Sequence, residues 1–174
     1  MLLFLVGYMG CGKTSTGRRL ARRLGVRFAD TDAEVERREG ASVSDIFGYA
    51  GEEYFRRAER AVLEQIVASG EDAVVSTGGG LPVWGDNMDY MNSVGMTVYI
   101  RRSAQRIAAR LTPYGRMKRP KLRGLGDGEL VEFMTRDMVA RTPFYERSML
   151  SIDGDAMSDS AIEDTIIQRL ENHE

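Results

Sequence analysis

The sequence has little cysteine, little histidine and no long apolar run. It contains one cysteine, Cys11, and one histidine, His173, in 174 residues. A single cysteine cannot form an internal disulfide, so we expect a reducing compartment, the cytoplasm. No apolar run approaches the ~18 residues that a membrane-spanning helix needs, so we expect no membrane insertion. His173 is close to the end of the chain and is not expected to act in catalysis.

An excess of positive charge is also missing. The 24 basic residues are outnumbered by 26 acidic ones, and the formal net charge is −2. A protein that binds nucleic acid typically has a net basic surface, so we do not expect a nucleic-acid partner. No repeat, linker or low-complexity tract divides the chain. We therefore expect one domain spanning residues 1–174.

A glycine-rich motif near the beginning carries the clearest chemical signal. An apolar strand, predicted at 2–6, runs into Gly7, and the pattern G-x-x-x-x-G-K-[ST] is completed by Gly12, Lys13 and Thr14. Such a loop points successive backbone N–H groups at phosphate oxygens, and the following helix adds its positive end. The lysine reaches the β- and γ-phosphates, and the hydroxyl can bind Mg²⁺. The alternative, a plain helix-capping turn, does not require the preceding buried strand.

Strands and helices are predicted to alternate along the rest of the chain. This alternation indicates an α/β fold with a parallel sheet covered by helices on both faces, and ligands then bind at the carboxyl ends of the strands. The predicted strands are 2–6, 26–29, 73–76, 96–100 and 149–152. The predicted helices are 13–24, 33–39, 52–69, 84–92, 104–111, 129–141 and 161–170.

Two carboxylates follow the second predicted strand. Asp30 and Asp32 are two residues apart, and in an extended chain both would point to the same side. One could then serve a metal and the other an acceptor hydroxyl. The alternative is that Asp32 only caps the next helix, since Asp is favoured there.

Three consecutive glycines, Gly78, Gly79 and Gly80, follow the third predicted strand. They could form a flexible turn without further function. Bare backbone also allows close approach of a ligand, and ordering three glycines costs considerable entropy. We therefore favour a turn that faces the ligand.

Several arginines are ambiguous by themselves. Arg56 and Arg141 are each expected to be solvated or paired at the surface, although together they could bind an anionic acceptor through bidentate hydrogen bonds.

Segment 112–128 has two prolines, four glycines and five cations, which predicts a mobile surface loop rather than a packed element. Beside a phosphate loop, a lid that brings Arg119 to the phosphates fits this segment better than a nucleic-acid contact does.

Taken together, these motifs resemble shikimate kinase over nearly the whole chain. Any one stretch is modest evidence, but six in the family's order and spacing are a strong match. The stretches are GYMGCGKTSTGRRLA (7–21), FADTDAEVE (28–36), IFGYAGEEYFRRAE (46–59), STGGG (76–80), RP (119–120) and ARTPFYE (140–146).

The resemblance implies a three-layer fold of the P-loop, nucleoside-monophosphate-kinase type, with a five-stranded parallel sheet in the order 2-3-1-4-5. It implies ATP and Mg²⁺ as co-substrate and metal, and shikimate as acceptor. The implied reaction is phosphorylation of the shikimate 3-hydroxyl, on the route to chorismate and the aromatic amino acids. The family expectation is a monomer with an acceptor segment at about 32–60 and a lid at about 112–128.

The resemblance also implies roles for individual residues, with Lys13, Asp32 and Arg119 as the catalytic set. Thr14 and Asp30 would hold Mg²⁺, and Asp32 would orient or deprotonate the acceptor hydroxyl. Arg110 would lie near the adenine, and Arg119 would reach the phosphates. The residues expected to bind ATP phosphates are Gly10, Cys11, Gly12, Lys13, Thr14 and Ser15. Those expected at shikimate are Asp32, Arg56, Gly78, Gly79, Gly80 and Arg141, with Phe47, Phe55 and Glu59 lining or bracing the pocket.

Two other functions remain open from the sequence. A related small-molecule kinase, of the gluconate or nucleoside-monophosphate type, would need no clamp from Arg56 and Arg141. A silent nucleotide-binding regulator would be expected to lose Lys13, Asp32 or Arg119.

The lid departs from the family's usual Arg-Pro-Leu-Leu, and no adenine contacts are assigned after Asp153. We further expect bound ATP to protect the Cys11 thiol from alkylation.

Overall fold

A computed structural model describes residues 1–172 of the chain, so His173 lies outside the described residues. Its centre is one five-stranded parallel sheet with the order β2-β3-β1-β4-β5. The strands are β1 (Leu2–Val6), β2 (Arg27–Asp30), β3 (Ala73–Ser76), β4 (Met96–Arg101) and β5 (Leu150–Asp153). The predicted α/β class and strand order are confirmed.

Helices connect the strands throughout residues 1–172. The α-helices are α1 (Lys13–Leu24), α2 (Thr31–Glu39), α3 (Val43–Ala50), α4 (Glu52–Ala68), α5 (Asn87–Val94), α6 (Ala104–Arg110), α7 (Pro113–Met117), α8 (Asp127–Tyr145) and α9 (Asp159–Glu171). Two 3₁₀ turns cover Leu81–Val83 and Pro120–Leu122. None of these helices is long and apolar enough to cross a bilayer.

Strand β1 occupies the middle of the sheet. It pairs in parallel with β3 on one side and β4 on the other, with Leu3 opposite both Val74 and Met96. Residues 3–6 are fully buried, which explains the uninterrupted apolar run, because a central parallel strand is covered on both faces. The phosphate loop therefore begins at the carboxyl end of the most enclosed strand.

Helix α1 is fixed by glycines at both ends and in its first turns. Gly12 and Gly25 flank it in the left-handed region, with φ of 101° and 69°. A Cβ on Gly17 would come within 2.7 Å of the Phe28 ring, so only glycine lets α1 approach β2 this closely. This packing places the amino end of α1 at the carboxyl edge of the sheet.

Several predicted boundaries differ from the structure. The helix predicted at 84–92 begins only at Asn87 and continues to Val94 as α5, after a 3₁₀ turn at Leu81–Val83. Residues 43–50, which lie outside the predicted helices, form the helix α3, capped by the Ser42 hydroxyl 3.1 Å from the Asp45 nitrogen. Helix α8 continues four residues beyond the predicted end at 141 and passes through Pro143. The prediction stopped early because proline usually ends a helix.

Segment 112–128 is more ordered than predicted. It contains helix α7 and a 3₁₀ turn, and Leu122 in that turn is buried in the core. The expectation of a loop without packed elements is therefore wrong for its central part, because one leucine within a polar, glycine-rich segment anchors it.

Candidate active site

The phosphate loop curls around the Lys13 side chain. Gly7 and Gly10 have φ of 147° and 77°, which L-residues with a side chain rarely adopt. Lys13 is buried, and its Nζ donates to the carbonyl oxygens of Gly7 at 2.7 Å and Tyr8 at 2.9 Å. The loop thus holds a compact positive charge beside the amino end of α1, where phosphate oxygens are favoured.

Thr14 and Asp30 meet at the edge of this loop. The Thr14 hydroxyl donates to Asp30 Oδ2 at 2.8 Å and lies 3.3 Å from the Ser76 hydroxyl. Among residues 1–172 no group of three or more His, Cys, Asp or Glu side chains could hold a metal by itself. A Mg²⁺ ion that accompanies phosphates needs only one or two protein oxygens, so the Thr14 and Asp30 oxygens fit it.

The helix cap is Asp30 and not Asp32. Asp30 Oδ1 accepts from the Ala33 N–H at 3.2 Å, and α2 already begins at Thr31. The expectation of an extended Asp30–Thr31–Asp32 segment is therefore wrong. Asp32 lies in the first helical turn, free of the capping role.

Asp32 and Glu59 form a pair of carboxyl groups around Gly78. Asp32 Oδ1 and Glu59 Oε1 lie 2.6 and 2.5 Å from the point where a Cβ of Gly78 would stand. Burial and the neighbouring Asp30 charge raise the pKa of Asp32, against the lowering effects of Glu59, Lys13 and Arg56. Burial and the Asp32 charge raise the pKa of Glu59 to about 8. A raised pKa makes Asp32 a stronger proton acceptor than a solvated carboxylate.

The three glycines leave room mainly for the protein's own side chains. A Cβ on Gly80 would lie 2.1 Å from Arg56 Nη2, and one on Gly79 would lie 3.4 Å from Arg141 Nη1 and 3.2 Å from the Met9 nitrogen. The Gly78 N–H is already used, since it donates to the Thr31 hydroxyl at 2.9 Å. The triplet therefore permits charged side chains to converge, a role that was not predicted from the three glycines.

Arg56 is held on α4 in a partly apolar setting. Its side chain is 11% exposed, pairs with Glu59, and lies 3.4 Å from Glu52. Its guanidinium also lies over the Phe55 ring, 5.3 Å from the centroid. The expectation that Arg56 alone would be a solvated arginine is wrong, because Glu59 and Phe55 draw it inward.

Arg141 approaches the same turn from α8. Its side chain is 12% exposed, with Nε 3.5 Å from Asp137 Oδ2 and the guanidinium over the Tyr8 ring. Burial acts to lower the pKa of Arg141, but its interactions with Tyr145 and Asp137 outweigh this effect and raise the pKa overall. Since Gly79 and Gly80 are adjacent, the structure brings the two arginines together.

Arg119 lies on the inner side of the lid segment. Its Nη1 donates to the Gly115 carbonyl at 2.6 Å. Burial lowers the pKa of Arg119, and the charge of Asp32 acts against this lowering. The lid arginine is therefore close enough to Asp32 for the two charges to interact.

Arg110 and Ser15 lie beside the phosphate loop. Arg110 Nη2 would be 3.2 Å from a Cβ on Gly12, and its Nη1 is 3.7 Å from Asp159. Ser15 is exposed, and its hydroxyl donates to the Gly12 carbonyl at 3.1 Å. The structure thus places Arg110 against the loop itself.

The Cys11 thiol does not face the site. Cys11 is fully buried, and its Sγ lies 2.9 Å from the point where a Cβ of Gly7 would stand. The expectation that ATP would protect this thiol from alkylation is therefore not supported, because the side chain points into the core. Only its backbone can contact phosphate.

Several residues of the site were not predicted from the sequence. The Tyr145 hydroxyl donates to the Gly79 carbonyl at 2.6 Å, and the Tyr8 hydroxyl donates to Asp137 at 2.7 Å. Buried Arg102 donates to the Cys11 carbonyl at 2.8 Å and braces the loop from behind. No local pattern marks them, although Asp137 is four residues before Arg141, the spacing of a helical ion pair.

The site therefore has two halves. One offers backbone N–H groups, a lysine and a Thr–Asp oxygen pair, as phosphoryl donors with Mg²⁺ require. The other offers a carboxylate with raised pKa beside two largely enclosed arginines, which suits an acceptor carrying both a hydroxyl and an anionic group.

Comparison with known proteins agrees with this chemistry. The shikimate kinase family model matches residues 9–171. A shikimate kinase from Parabacteroides distasonis is 43% identical over 155 residues, which cover 89% of this chain and 88% of the relative.

Solved structures give the same result. A shikimate kinase from Bacteroides thetaiotaomicron superposes with a TM-score of 0.87 at 37% identity, covering 99% of this chain and 97% of the other. A shikimate kinase from Acinetobacter baumannii, in complex with shikimate, gives 0.86 at 29% identity and covers 99% and 94%. The chain belongs to the shikimate kinase family.

Proposed function

We propose that this protein transfers the γ-phosphoryl group of ATP to the 3-hydroxyl of shikimate, giving shikimate 3-phosphate and ADP on the route to chorismate and the aromatic amino acids. The observation that carries the proposal is the convergence of Arg56 and Arg141 on adjacent glycines, beside Asp32 and next to the phosphate loop. Shikimate has one carboxylate and several hydroxyls, so it matches two arginines and one carboxylate.

The donor half binds the nucleotide. Backbone N–H groups of Gly10–Ser15 and the Lys13 ammonium hold the phosphates, and Arg110, whose guanidinium lies beside Gly12, contacts the nucleotide near the adenine. Thr14 and Asp30 hold Mg²⁺, which neutralises charge on the phosphates when bound. The 2.8 Å contact between their oxygens supports this assignment.

The acceptor half binds and activates shikimate. Arg56 and Arg141 bind its carboxylate, while the Gly78–Gly80 turn forms the floor of the pocket. Asp32 orients the 3-hydroxyl and accepts its proton as the oxygen bonds to the γ-phosphorus and the bond to the β–γ bridging oxygen breaks. Its raised pKa supports the role of a proton acceptor.

The lid segment 112–128 completes the site. Arg119 stabilises negative charge on the transferring phosphoryl group, as cations do in phosphoryl transfer. Residues 32–60 form the acceptor segment, and the chain acts as a single-domain cytoplasmic monomer without a nucleic-acid or membrane partner.

The test is an ADP-release assay with Mg-ATP and a panel of acceptors: shikimate, gluconate and nucleoside monophosphates. We expect ADP release with shikimate only. Release with gluconate or a nucleoside monophosphate instead would favour a related kinase. Nucleotide binding without release for any acceptor would favour a silent regulator.

A further inference from the structure

One carboxylate oxygen joins the phosphate loop to the acceptor half of the site. Asp137 Oδ2 accepts a hydrogen bond from the Tyr8 hydroxyl at 2.7 Å and lies 3.5 Å from Arg141 Nε. Tyr8 belongs to the phosphate loop, and Arg141 reaches the glycine turn from α8. Asp137 therefore bridges two elements that are more than a hundred residues apart in the chain.

Asp137 orients the Arg141 guanidinium from its Nε side. Asp137 faces Nε, while Nη1 lies beside Gly79, on the side of the pocket. The Tyr8 ring lies against the guanidinium, with 5.6 Å between its centroid and the arginine Cζ. A guanidinium held at Nε and on one face keeps its terminal nitrogens for a second, bidentate partner.

The side chains of Tyr8, Asp137 and Arg141 are shielded from water, so the contacts between them can affect acceptor binding. Tyr8 is 3% exposed, and the side chains of Asp137 and Arg141 are 21% and 12% exposed. Burial and the Asp137 hydrogen bond both raise the pKa of Tyr8, so its hydroxyl stays a neutral donor. An arginine fixed before substrate arrives loses less side-chain entropy on binding.

We propose that Asp137, itself held by the Tyr8 hydroxyl, is a positioning residue that presents Arg141 to the carboxylate of the acceptor. This inference rests on the proposed acceptor role of Arg141. It predicts that acceptor affinity depends on a hydrogen bond made by a side chain of the phosphate loop.

The same helix contains a matched control. Glu132 and Arg136 have the same spacing of four residues, with 3.7 Å between their charged groups, but their side chains are 69% and 72% exposed. Exposed pairs of this kind contribute little to stability. Glu132→Gln is therefore expected to leave the kinetics unchanged.

The experiment is steady-state kinetics of Asp137→Asn, Tyr8→Phe and Glu132→Gln, with the fold of each checked by circular dichroism. For Asp137→Asn we expect KM for shikimate to rise about tenfold, with kcat and KM for ATP nearly unchanged. Tyr8→Phe should raise the same KM about threefold, and Asp137→Glu should recover part of the loss. If Asp137→Asn does not fold, Tyr8→Phe, which lacks a single hydroxyl, decides the question.

The Arg141→Ala background separates this inference from the proposed function. If Asp137 acts through Arg141, adding Asp137→Asn to Arg141→Ala changes KM for shikimate no further. If Arg141→Ala itself leaves that KM unchanged, the acceptor role of Arg141 is wrong. If Arg141→Ala raises KM but Asp137→Asn leaves it unchanged or lowers it, the positioning role alone is overturned.

Discussion

The donor and acceptor halves of the site are built in different ways. The donor half is nearly continuous in sequence, from Gly7 to Ser15, and most of its geometry comes from the backbone. The acceptor half draws side chains from α2, α4 and α8 onto the glycine turn after β3. A backbone device needs only its local sequence, whereas the acceptor half exists only when distant elements have packed together.

The two halves also differ in how they use glycine. In the phosphate loop, glycines provide positive φ angles. In the Gly78–Gly80 turn none has a positive φ, and glycine is needed because Arg56, Glu59 and Asp32 occupy the space of a Cβ. The first use shapes the chain, and the second makes room for side chains.

The largest effect expected from a substitution in the acceptor half is on the rate of phosphoryl transfer. Asp32→Asn should lower kcat by about 10²–10⁴-fold, because an amide cannot accept the proton from the hydroxyl. The control is Asp45→Asn, an exposed acid in the first turn of α3. Rapid-mix or coupled assays of ADP release measure the change, and near-normal turnover would remove Asp32 from the mechanism.

The next effect separates binding of the two substrates. Arg56→Ala should weaken shikimate binding by about 2–5 kcal/mol, because a charged partner is lost in a desolvated site. Arg57→Ala is the matched control, since Arg57 is the next residue, is 69% exposed and pairs with the exposed Glu53. Calorimetric titration with shikimate and with ATP gives both affinities. A loss confined to ATP would contradict the assignment to the acceptor half.

A smaller effect is expected from filling the glycine turn. Gly80→Ala should raise KM for shikimate about tenfold, because its methyl group displaces the Arg56 guanidinium. Gly48→Ala is the control, since no atom of the described residues 1–172 lies within 4 Å of a Cβ there and Gly48 is in a helix. Gly48→Ala should stabilise the protein slightly, by about 0.5–1 kcal/mol. Equal KM values for shikimate in the two variants would show that the turn accommodates a methyl group without displacing Arg56.

The carboxyl pair should give a pH-dependent stability. Glu59 has a folded-state pKa of about 8, above the ordinary value of 4.5, so the folded protein binds this proton more tightly than the unfolded chain does. Its contribution is complete below about pH 4.5 and is lost as pH rises to about 8, at up to ~1.4 kcal/mol per pH unit.

Urea unfolding of wild type and Glu59→Gln between pH 5 and 8 measures this contribution. The glutamine variant does not titrate, so its stability relative to wild type should increase as pH rises. Glu64→Gln, which changes an exposed acid on the same helix, is the matched control over the same pH range. A constant difference in stability between Glu59→Gln and wild type would mean that Glu59 is ionised throughout this range.

The donor half of the site could be predicted from the sequence more directly than the acceptor half. Lys13 and Thr14 could be assigned from spacing alone, because the loop geometry is local. Arg56 and Arg141 became plausible only through resemblance, since spacing cannot show that α4 and α8 converge. Asp137 and Tyr145 were not predicted, because their partners at Tyr8 and Gly79 come from elements distant in sequence.

The fold itself was largely predictable for a related reason. Apolar runs of four to six residues alternate with amphipathic segments, and this pattern specifies a parallel sheet with covering helices. The errors occurred at Pro143, where tertiary packing keeps the helix intact, and at Leu122, where one buried side chain orders a polar segment. Both depend on contacts that no local pattern encodes.

The central claim is that Arg56 and Arg141 bind one acceptor group, and a double-mutant cycle on shikimate affinity tests it most directly. Calorimetric Kd values for wild type, Arg56→Ala, Arg141→Ala and the double variant are required. We predict that the single losses do not add, with a coupling of at least ~1 kcal/mol, because both guanidinium groups share the carboxylate. Additive losses, within about 0.5 kcal/mol, would contradict the account and place the two arginines in separate sites.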